Sequence, residues 1–140
     1  MKAQIIALFL LLSLTITAQE KQIIDAYNLR YIDSSQSLTI QNKIQLETND
    51  EDIKCISNCF LSLTYLRQKK LALAKDAIEK AKENLAKITR ENTLGYYHYA
   101  LYRYKYFIDE PGFEEDILKS LTYFERTKNY SFAGLSAISI

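Results

Sequence analysis

The sequence predicts an all-α fold in which consecutive helices pair antiparallel, and three observations support this. Apolar residues recur at steps of three and four along most of the chain, which is the spacing of one helix face. The chain has three glycines and one proline, so it offers few of the turns that a many-stranded fold needs. Short polar segments separate the periodic stretches, as expected for helices joined by tight corners.

The first 18 residues have the order of features of a secretory signal peptide. Lys2 supplies a positive charge, an apolar run extends from Ile5 to Leu14, and Ala18 is a small residue at the expected cleavage site. The run is about 10 residues long, whereas a helix that spans a bilayer needs ~20. We therefore expect cleavage after Ala18 and export to the periplasm or the medium. No cysteine comes directly after the run, which argues against a lipid anchor; the alternative is a buried N-terminal helix.

Residues 19–140 are expected to form one helical domain. After loss of Lys2 its basic and acidic residues are equal in number, so it lacks the charge that nucleic acid or an anionic membrane attracts. Contact with a membrane is expected only through the signal peptide or through sequence downstream of residue 140. The periodic stretches predict helices over residues 21–32, around 38–46, and over 50–68, 71–88, 93–107 and 113–127, with a further apolar stretch after 129.

Local signals place some of the helix starts. Asp33 and the two serines after it offer oxygens that can cap the second helix. Thr48 and Glu51 have the spacing of a capping box before the third helix. Asn92 or Thr93 could cap the fifth helix.

One pair of helices carries a family motif. Three residues come after Asn58 at offsets three, four and seven, and three more on the next helix are spaced by four and three. These residues are Leu61, Ser62, Tyr65, Ala74, Ile78 and Ala81. The tetratricopeptide repeat has W-x2-L-G-x2-Y on its first helix and A-x3-F on its second, within about 34 residues. Residues 55–88 resemble one such unit, and Ser120 and Phe124 form a poorer match to a second helix.

The resemblance implies a short right-handed α-solenoid that binds a protein or peptide in its inner groove and carries no catalytic residue, cofactor or metal. Groove positions transferred from the repeat are Ile56, Cys59, Leu63 and Leu66 on the third helix, with Tyr97, Leu101 and Tyr104 on the fifth under one possible register. The alternative is that the chain is the exported sensory input of a bacterial transcription regulator or histidine kinase whose effector half is missing. Long, irregular repeats after a signal peptide resemble such input regions.

Six tyrosines crowd the fifth helix between Tyr96 and Tyr106. They could fill the core between helices or form a recognition face, because tyrosine combines a large contact area with a polar tip. Their register stays open, since tyrosines fall on every side of the helix.

The other reactive residues do not form a recognisable site. Cys55 and Cys59 lie one turn apart on one helix, where parallel side chains rarely reach disulfide geometry, so we expect free buried thiols. His98 has no cysteine or serine in a nucleophile setting beside it. The acids around residues 109–116 lack the spacing of a calcium loop and suit the start of a helix. We therefore expect no enzyme, no metal and no cofactor.

The chain ends on an uncharged apolar stretch. Phe132, Leu135 and Ile138 are spaced by three and predict an apolar helix face that no later helix covers. We therefore expect that the protein is a fragment of a longer chain, with its last helix truncated at 140, or that it self-associates through this end.

Overall fold

The computed structural model describes the backbone of the whole chain and the side chains of residues 1–8 and 18–140. Over the described backbone the chain forms α1 (Lys2–Asn28), a 3₁₀ turn (Leu29–Tyr31), α2 (Ser34–Glu47), α3 (Glu51–Arg67), α4 (Leu71–Asn84), a 3₁₀ turn (Leu85–Lys87), α5 (Glu91–Phe107), α6 (Phe113–Arg126) and α7 (Tyr130–Ile138). The prediction of an all-α protein is confirmed. The fourth predicted helix ends earlier than expected, at Asn84, and continues as the second 3₁₀ turn.

Neighbouring helices pack mostly in sequence, and the most extensive contacts join α3 to α4 and α5 to α6. Helix α3 lies at the centre, because it also contacts α1, α2 and α5. Its residues from Cys55 to Thr64 are buried on every side of the helix. Because α3 is surrounded by its neighbours, its buried surface extends beyond one apolar stripe and includes the small polar side chains of Ser57, Ser62 and Thr64.

The core is built around aromatic rings from five helices. The Phe60 ring of α3 stacks on Tyr27 of α1 at 4.4 Å and meets the edge of Tyr96 of α5 at 5.4 Å. Phe124 of α6 and Phe132 of α7 pack against Tyr96 with ring centroids at 5.0 and 4.9 Å. Such edge-to-face arrangements add to the stabilisation from apolar burial.

Helix α7 packs against the domain through part of the stripe that the sequence indicated. Phe132 is buried together with Ala133 and Ser136, whereas Leu135 is 47 % and Ile138 is 85 % exposed. The reason is that residues one position away from the expected stripe complete the buried face. The hydroxyl of Ser136 lies 3.1 Å from that of Ser120 on α6.

Small residues lie where paired helices approach each other. The Ser62 hydroxyl donates to the carbonyl of Ala74 at 2.8 Å, which joins α3 to α4. The Ser120 hydroxyl donates in the same way to the carbonyl of Gly95 at 2.9 Å, which joins α6 to α5. Among the residues that match the repeat motif, Tyr65 is half-buried and the others are buried. The buried ones are Leu61, Ser62, Ala74, Ile78, Ala81, Ser120 and Phe124.

Three of the described helix starts have a simple side-chain cap, one of them Asn129, which accepts a hydrogen bond from the amide of Phe132 at the start of α7. The side chain of Asp33 accepts a hydrogen bond from the amide of Gln36, as the sequence indicated for α2. The capping box predicted at Thr48 is wrong, because Asp50 is the cap of α3 and accepts the amide of Ile53 at 3.2 Å. The Thr48 hydroxyl instead accepts the amide of Asp50 itself.

Helix α5 has no local side-chain cap, and the predicted caps at Asn92 and Thr93 are wrong. Its local N-cap position is Arg90, whose side chain makes no capping hydrogen bond because a guanidinium group has no acceptor. Asp52 of α3 accepts the amides of Thr89 and Arg90 at 2.9 and 3.0 Å, and the hydroxyls of Thr89 and Thr93 at 3.0 and 2.6 Å. One buried carboxylate therefore fixes the segment that leads into α5 and ties it to α3.

Three helices end on residues with left-handed backbone conformation that are not glycine. Lys69, Asp109 and Lys128 have φ of 59°, 56° and 60° and come after α3, α5 and α6. In each case the next amide reaches back to the last turn, as from Asn129 to the carbonyl of Phe124 at 2.8 Å. This is the Schellman arrangement, in which glycine is usually preferred because it lacks a Cβ.

We expect that Lys128→Gly raises the free energy of unfolding by up to about 1 kcal/mol, the strain that a Cβ causes in this conformation. Lys128 is exposed, so its side chain contributes little to packing. Chemical denaturation would measure the change. Lys128→Ala is the control, because alanine keeps the Cβ; an equal stability of the two variants would contradict the explanation.

The N-terminal region and the start of the predicted domain form one helix. Helix α1 runs without a break through the expected cleavage site at Ala18. The side chains of residues 9–17, which include most of the apolar run, lie outside the described residues. Within residues 1–8 and 18–140, no helix combines the length and the apolar character that crossing a bilayer requires.

Candidate functional site

An open cleft of about 430 Å³ lies where α1, α3 and α5 end. The contributing residues fall near the C-terminal ends of these three helices and in the turns after them. They are Tyr27, Arg30, Tyr31, Leu63, Leu66, Arg67, Lys69, Tyr99, Arg103, Tyr106 and Phe107. We call this surface the basic cleft. Its volume falls within the usual range for ligand pockets.

The floor of the basic cleft is apolar and fixed by the core. Leu63 and Leu66 are 7 % and 6 % exposed, and Tyr99 is 9 % exposed. The Tyr27 ring is held by its stack on Phe60. Burial raises the pKa of Tyr27 to about 12, although the nearby Arg30 lowers it in part. Tyr27 is therefore a neutral phenol at physiological pH.

Arginines stack on the tyrosines at one wall of the cleft. The guanidinium carbon of Arg30 lies 3.4 Å from the Tyr27 ring centroid and 3.9 Å from that of Tyr31. Its Nη1 donates to the Tyr27 carbonyl at 2.7 Å, and its Nη2 donates to the Tyr31 hydroxyl at 2.5 Å. Arg67 lies 4.7 Å from the Tyr31 ring centroid. Cation–π contacts and hydrogen bonds therefore hold Arg30 in place.

The cleft concentrates positive charge. Arg30, Arg67, Lys69 and Arg103 line it, and the described lining residues include no carboxylate. Within the part of the chain whose side chains are described, none of these four cations forms an ion pair. The whole chain has a formal net charge of only +1. The cleft is therefore a local excess of cations rather than a sample of an evenly basic surface.

The residues predicted to line a groove do not share one surface. Leu63 and Leu66 line the floor of the basic cleft. Ile56 and Cys59 are 0 % exposed, because α3 is surrounded by its neighbours, and they face no solvent. Their placement on an accessible groove is therefore wrong.

The three predicted groove residues of α5 lie elsewhere. Tyr97, Leu101 and Tyr104 line a second depression of about 470 Å³ between α4 and α5. Tyr97 is 6 % exposed, while Leu101 and Tyr104 are half-buried. This depression mixes lysines with glutamates, among them Lys75 and Glu79. The register assumed for α5 therefore points to its α4 side rather than to the basic cleft.

Sequence reasoning missed most residues of the basic cleft. On α5 the cleft uses Tyr99, Arg103 and Tyr106, which are spaced by four and three and so share one helix face. Arg103 lies between these two tyrosines, and a charged residue in that position indicates a helix face that is exposed to solvent. This was the available sequence signal for the cleft. Tyr27 and Tyr31 flank Arg30 at the end of α1 in the same pattern.

The remaining reactive groups have structural partners. His98 Nδ1 lies 2.9 Å from one oxygen of Asp116, and Lys105 donates to the other oxygen at 2.7 Å, which ties α5 to α6. Cys55 and Cys59 are free and buried, as predicted, and burial raises the pKa of the Cys59 thiol. Among the described residues, no three His, Cys, Asp or Glu side chains are grouped to hold a metal ion.

The fold and the cleft define the class of this protein as an all-α domain of helices packed in sequential pairs, with an aromatic and basic cleft at one set of helix ends. Comparison of the chain with protein-family models, with curated proteins and with solved structures finds no match in any of the three.

Proposed function

We propose that this protein is a non-catalytic scaffold that binds a peptide or protein segment in the basic cleft. The observation that carries the proposal is the cleft itself, where exposed aromatic side chains stand over a rigid apolar floor. Tyr31, Tyr106 and Phe107 are 63 %, 60 % and 47 % exposed, although large aromatic side chains bury much apolar area when covered. Aromatic residues and arginine are the types that dominate the energetics of protein interfaces.

The way in which the helices carry the cleft also supports binding by a scaffold. The cleft takes one wall from each of α1, α3 and α5, which alternate along the chain with α2, α4 and α6. Each wall is anchored in the aromatic core, so little order has to be gained when a ligand binds. Preorganisation of this kind improves affinity, since fewer side chains lose freedom on association.

We further propose that the domain is built on tetratricopeptide-like helix pairs and that the protein is exported. The first proposal is supported by the motif within residues 55–88 and by the close approach of α3 and α4 at Ser62 and Ala74. The second is supported by the order of charge, apolar run and small residue in residues 1–18.

Peptide selection tests the binding proposal. Dodecapeptides displayed on phage would be selected on the full-length chain and then titrated against it by calorimetry. We expect selected peptides to bind, and we expect the double variant Tyr31→Ala with Phe107→Ala to weaken binding at least tenfold, because it removes two of the three exposed aromatic side chains of the cleft. Helical circular dichroism should be unchanged, since both side chains are largely exposed.

A matched control is available on α7. Tyr130 and Leu135 are 69 % and 47 % exposed and lie outside the cleft, so their double replacement by alanine removes a similar apolar area. This control should leave affinity within twofold of the parent protein. Failure to enrich any peptide, or equal loss of binding in both double variants, would overturn the proposed function.

A further inference from the structure

We propose that the basic cleft recognises an acidic peptide segment, one whose side-chain carboxylates bind the arginines while its apolar residues cover the cleft floor. The inference rests on the proposed function and adds the chemical class of the ligand. Within the described part of the protein, no carboxylate forms an ion pair with the four cations of the cleft.

Two cations of the cleft are held close together. Arg30 and Arg67 both contact the Tyr31 ring, with their guanidinium carbons 3.9 and 4.7 Å from its centroid, so the two positive charges share one small part of the cleft. Like charges on one surface repel each other, and a nearby carboxylate would reduce that repulsion. The described residues that line the cleft contain none. A bound anion would relieve the repulsion, so affinity for acidic groups is expected from the arrangement.

The geometry of Arg30 favours a carboxylate ligand, because its planar guanidinium group is held in a fixed orientation. Arg30 is fixed by two stacking contacts and two hydrogen bonds, which use one N–H on each terminal nitrogen. A guanidinium group has five N–H donors, so further donors remain on a group that is already oriented. Oriented guanidinium groups bind carboxylates through paired hydrogen bonds, which ammonium groups cannot match in geometry.

The tyrosines strengthen this preference because they are neutral. Burial raises the pKa of Tyr27 to about 12 and also raises the pKa of Tyr99, so both phenols stay neutral even at a pH where an ordinary tyrosine ionises. A tyrosinate would compete with the ligand for the arginines, whereas a phenol can donate a hydrogen bond to it.

The apolar floor selects a peptide rather than a simple anion. Leu63 and Leu66 form the floor and Phe107 is exposed beside it, so part of the surface gains nothing from a purely ionic ligand. A segment that alternates acidic and apolar residues matches both parts. The expected ligand is therefore an acidic, partly apolar stretch of chain.

Isothermal titration calorimetry on the full-length protein tests the inference with two synthetic probes. The acidic probe is the acetylated and amidated pentapeptide Glu-Leu-Glu-Tyr-Glu, and the neutral probe has glutamine in place of each glutamate. Blocked ends restrict the acidic groups to side chains. We expect the acidic probe to bind at least tenfold more tightly than the neutral one, and its affinity to fall with added salt, because exposed charges are screened.

Paired variants locate the effect. Arg67→Gln with Arg103→Gln removes two exposed cations of the cleft, and Lys43→Gln with Lys87→Gln removes two exposed cations elsewhere. We expect the first pair to weaken binding of the acidic probe at least tenfold and the second less than twofold. Equal losses would show attraction to overall charge and would overturn the inference.

The remaining outcomes separate this inference from the proposed function. If phage-selected peptides bind in the cleft but the acidic and neutral probes bind equally, or neither binds, the acidic preference is wrong and the scaffold proposal stands. If no selected peptide binds, the proposed function falls and the inference falls with it. Tighter binding of a twelve-nucleotide single-stranded oligothymidylate than of the acidic probe would also overturn the assignment to a peptide.

Discussion

Replacing Asp52 with alanine is expected to lower the free energy of unfolding by about 2–4 kcal/mol, because a buried charged acceptor with several donors is lost. Asp52 is 1 % exposed and accepts four hydrogen bonds from the segment that begins α5. Without it, the amides of Thr89 and Arg90 just before α5 lose their side-chain acceptor, and the buried Thr93 hydroxyl loses its partner. The expected result is a less stable protein in urea denaturation.

The same residue gives the stability a defined pH dependence. Burial acts to raise the pKa of Asp52, but the hydrogen bonds from Thr93, Thr89 and Arg90 outweigh it and hold the pKa below the usual 3.8. A carboxyl group whose pKa is lowered by folding stabilises the protein above the pKa of the unfolded chain, and this contribution is lost as pH falls through the folded value. The stability difference between the parent and Asp52→Ala should therefore shrink below about pH 3.8.

A simple cap provides the comparison. Asp33 accepts one amide at the exposed start of α2, so Asp33→Ala should reduce stability by about 1 kcal/mol. If Asp52→Ala were no worse than Asp33→Ala, the role of Asp52 in joining α3 to α5 would be refuted.

Gly95→Ala is expected to lower the free energy of unfolding by about 1–3 kcal/mol, the usual effect of overpacking a core. A Cβ built on Gly95 would lie 2.6 Å from Cε1 and 2.7 Å from Cδ1 of Phe124. The Phe124 ring is 0 % exposed, and Tyr96 and Phe132 pack against it at 5.0 and 5.5 Å. The ring therefore has little room to retreat.

The sign of this effect is informative, since alanine normally stabilises a helix relative to glycine by about 1 kcal/mol. Gly134 of α7 is the matched control, because a Cβ there meets no described atom within 4 Å. Gly134→Ala should therefore raise stability while Gly95→Ala lowers it, as measured by thermal melts. Shortening the opposing ring with Phe124→Leu should make the added Gly95→Ala substitution less harmful than it is alone. A stabilising Gly95→Ala would contradict the close packing of α5 on α6.

Among the features that depend on neighbours along the chain, the sequence predicted the helices and the cap of α2, but it placed a capping box at Thr48 where Asp50 is the cap of α3. Apolar residues at steps of three and four located the helices. Asp33 identified the start of α2, because a capping side chain and the amide that it binds lie three residues apart. The contacts of Asp52 with the segment before α5 could not be found in this way. Asp52 and the groups from which it accepts hydrogen bonds are 37 to 41 residues apart, so only the tertiary packing of α3 and α5 brings them together.

The basic cleft was beyond local reasoning for a related reason. Its walls come from three helices that are distant in sequence, and the register of α5 decides which tyrosines face it. Tyrosines lie on every side of α5 and leave no single apolar stripe, so the choice of Tyr97 rather than Tyr99 as a groove residue rested on an assumed register. In the structure Tyr99 faces the cleft and Tyr97 faces α4.

The most direct test of binding in the basic cleft is a nuclear magnetic resonance titration of the ¹⁵N-labelled full-length protein with a phage-selected peptide. We predict that the amide shifts which change with added peptide cluster on the residues lining the cleft, with the largest changes near Arg30, Arg67 and Tyr106. Arginine Nε–H signals of Arg30 and Arg103 should shift as well. Shifts confined to the depression around Leu101, or to the exposed face of α7, would contradict binding in the basic cleft.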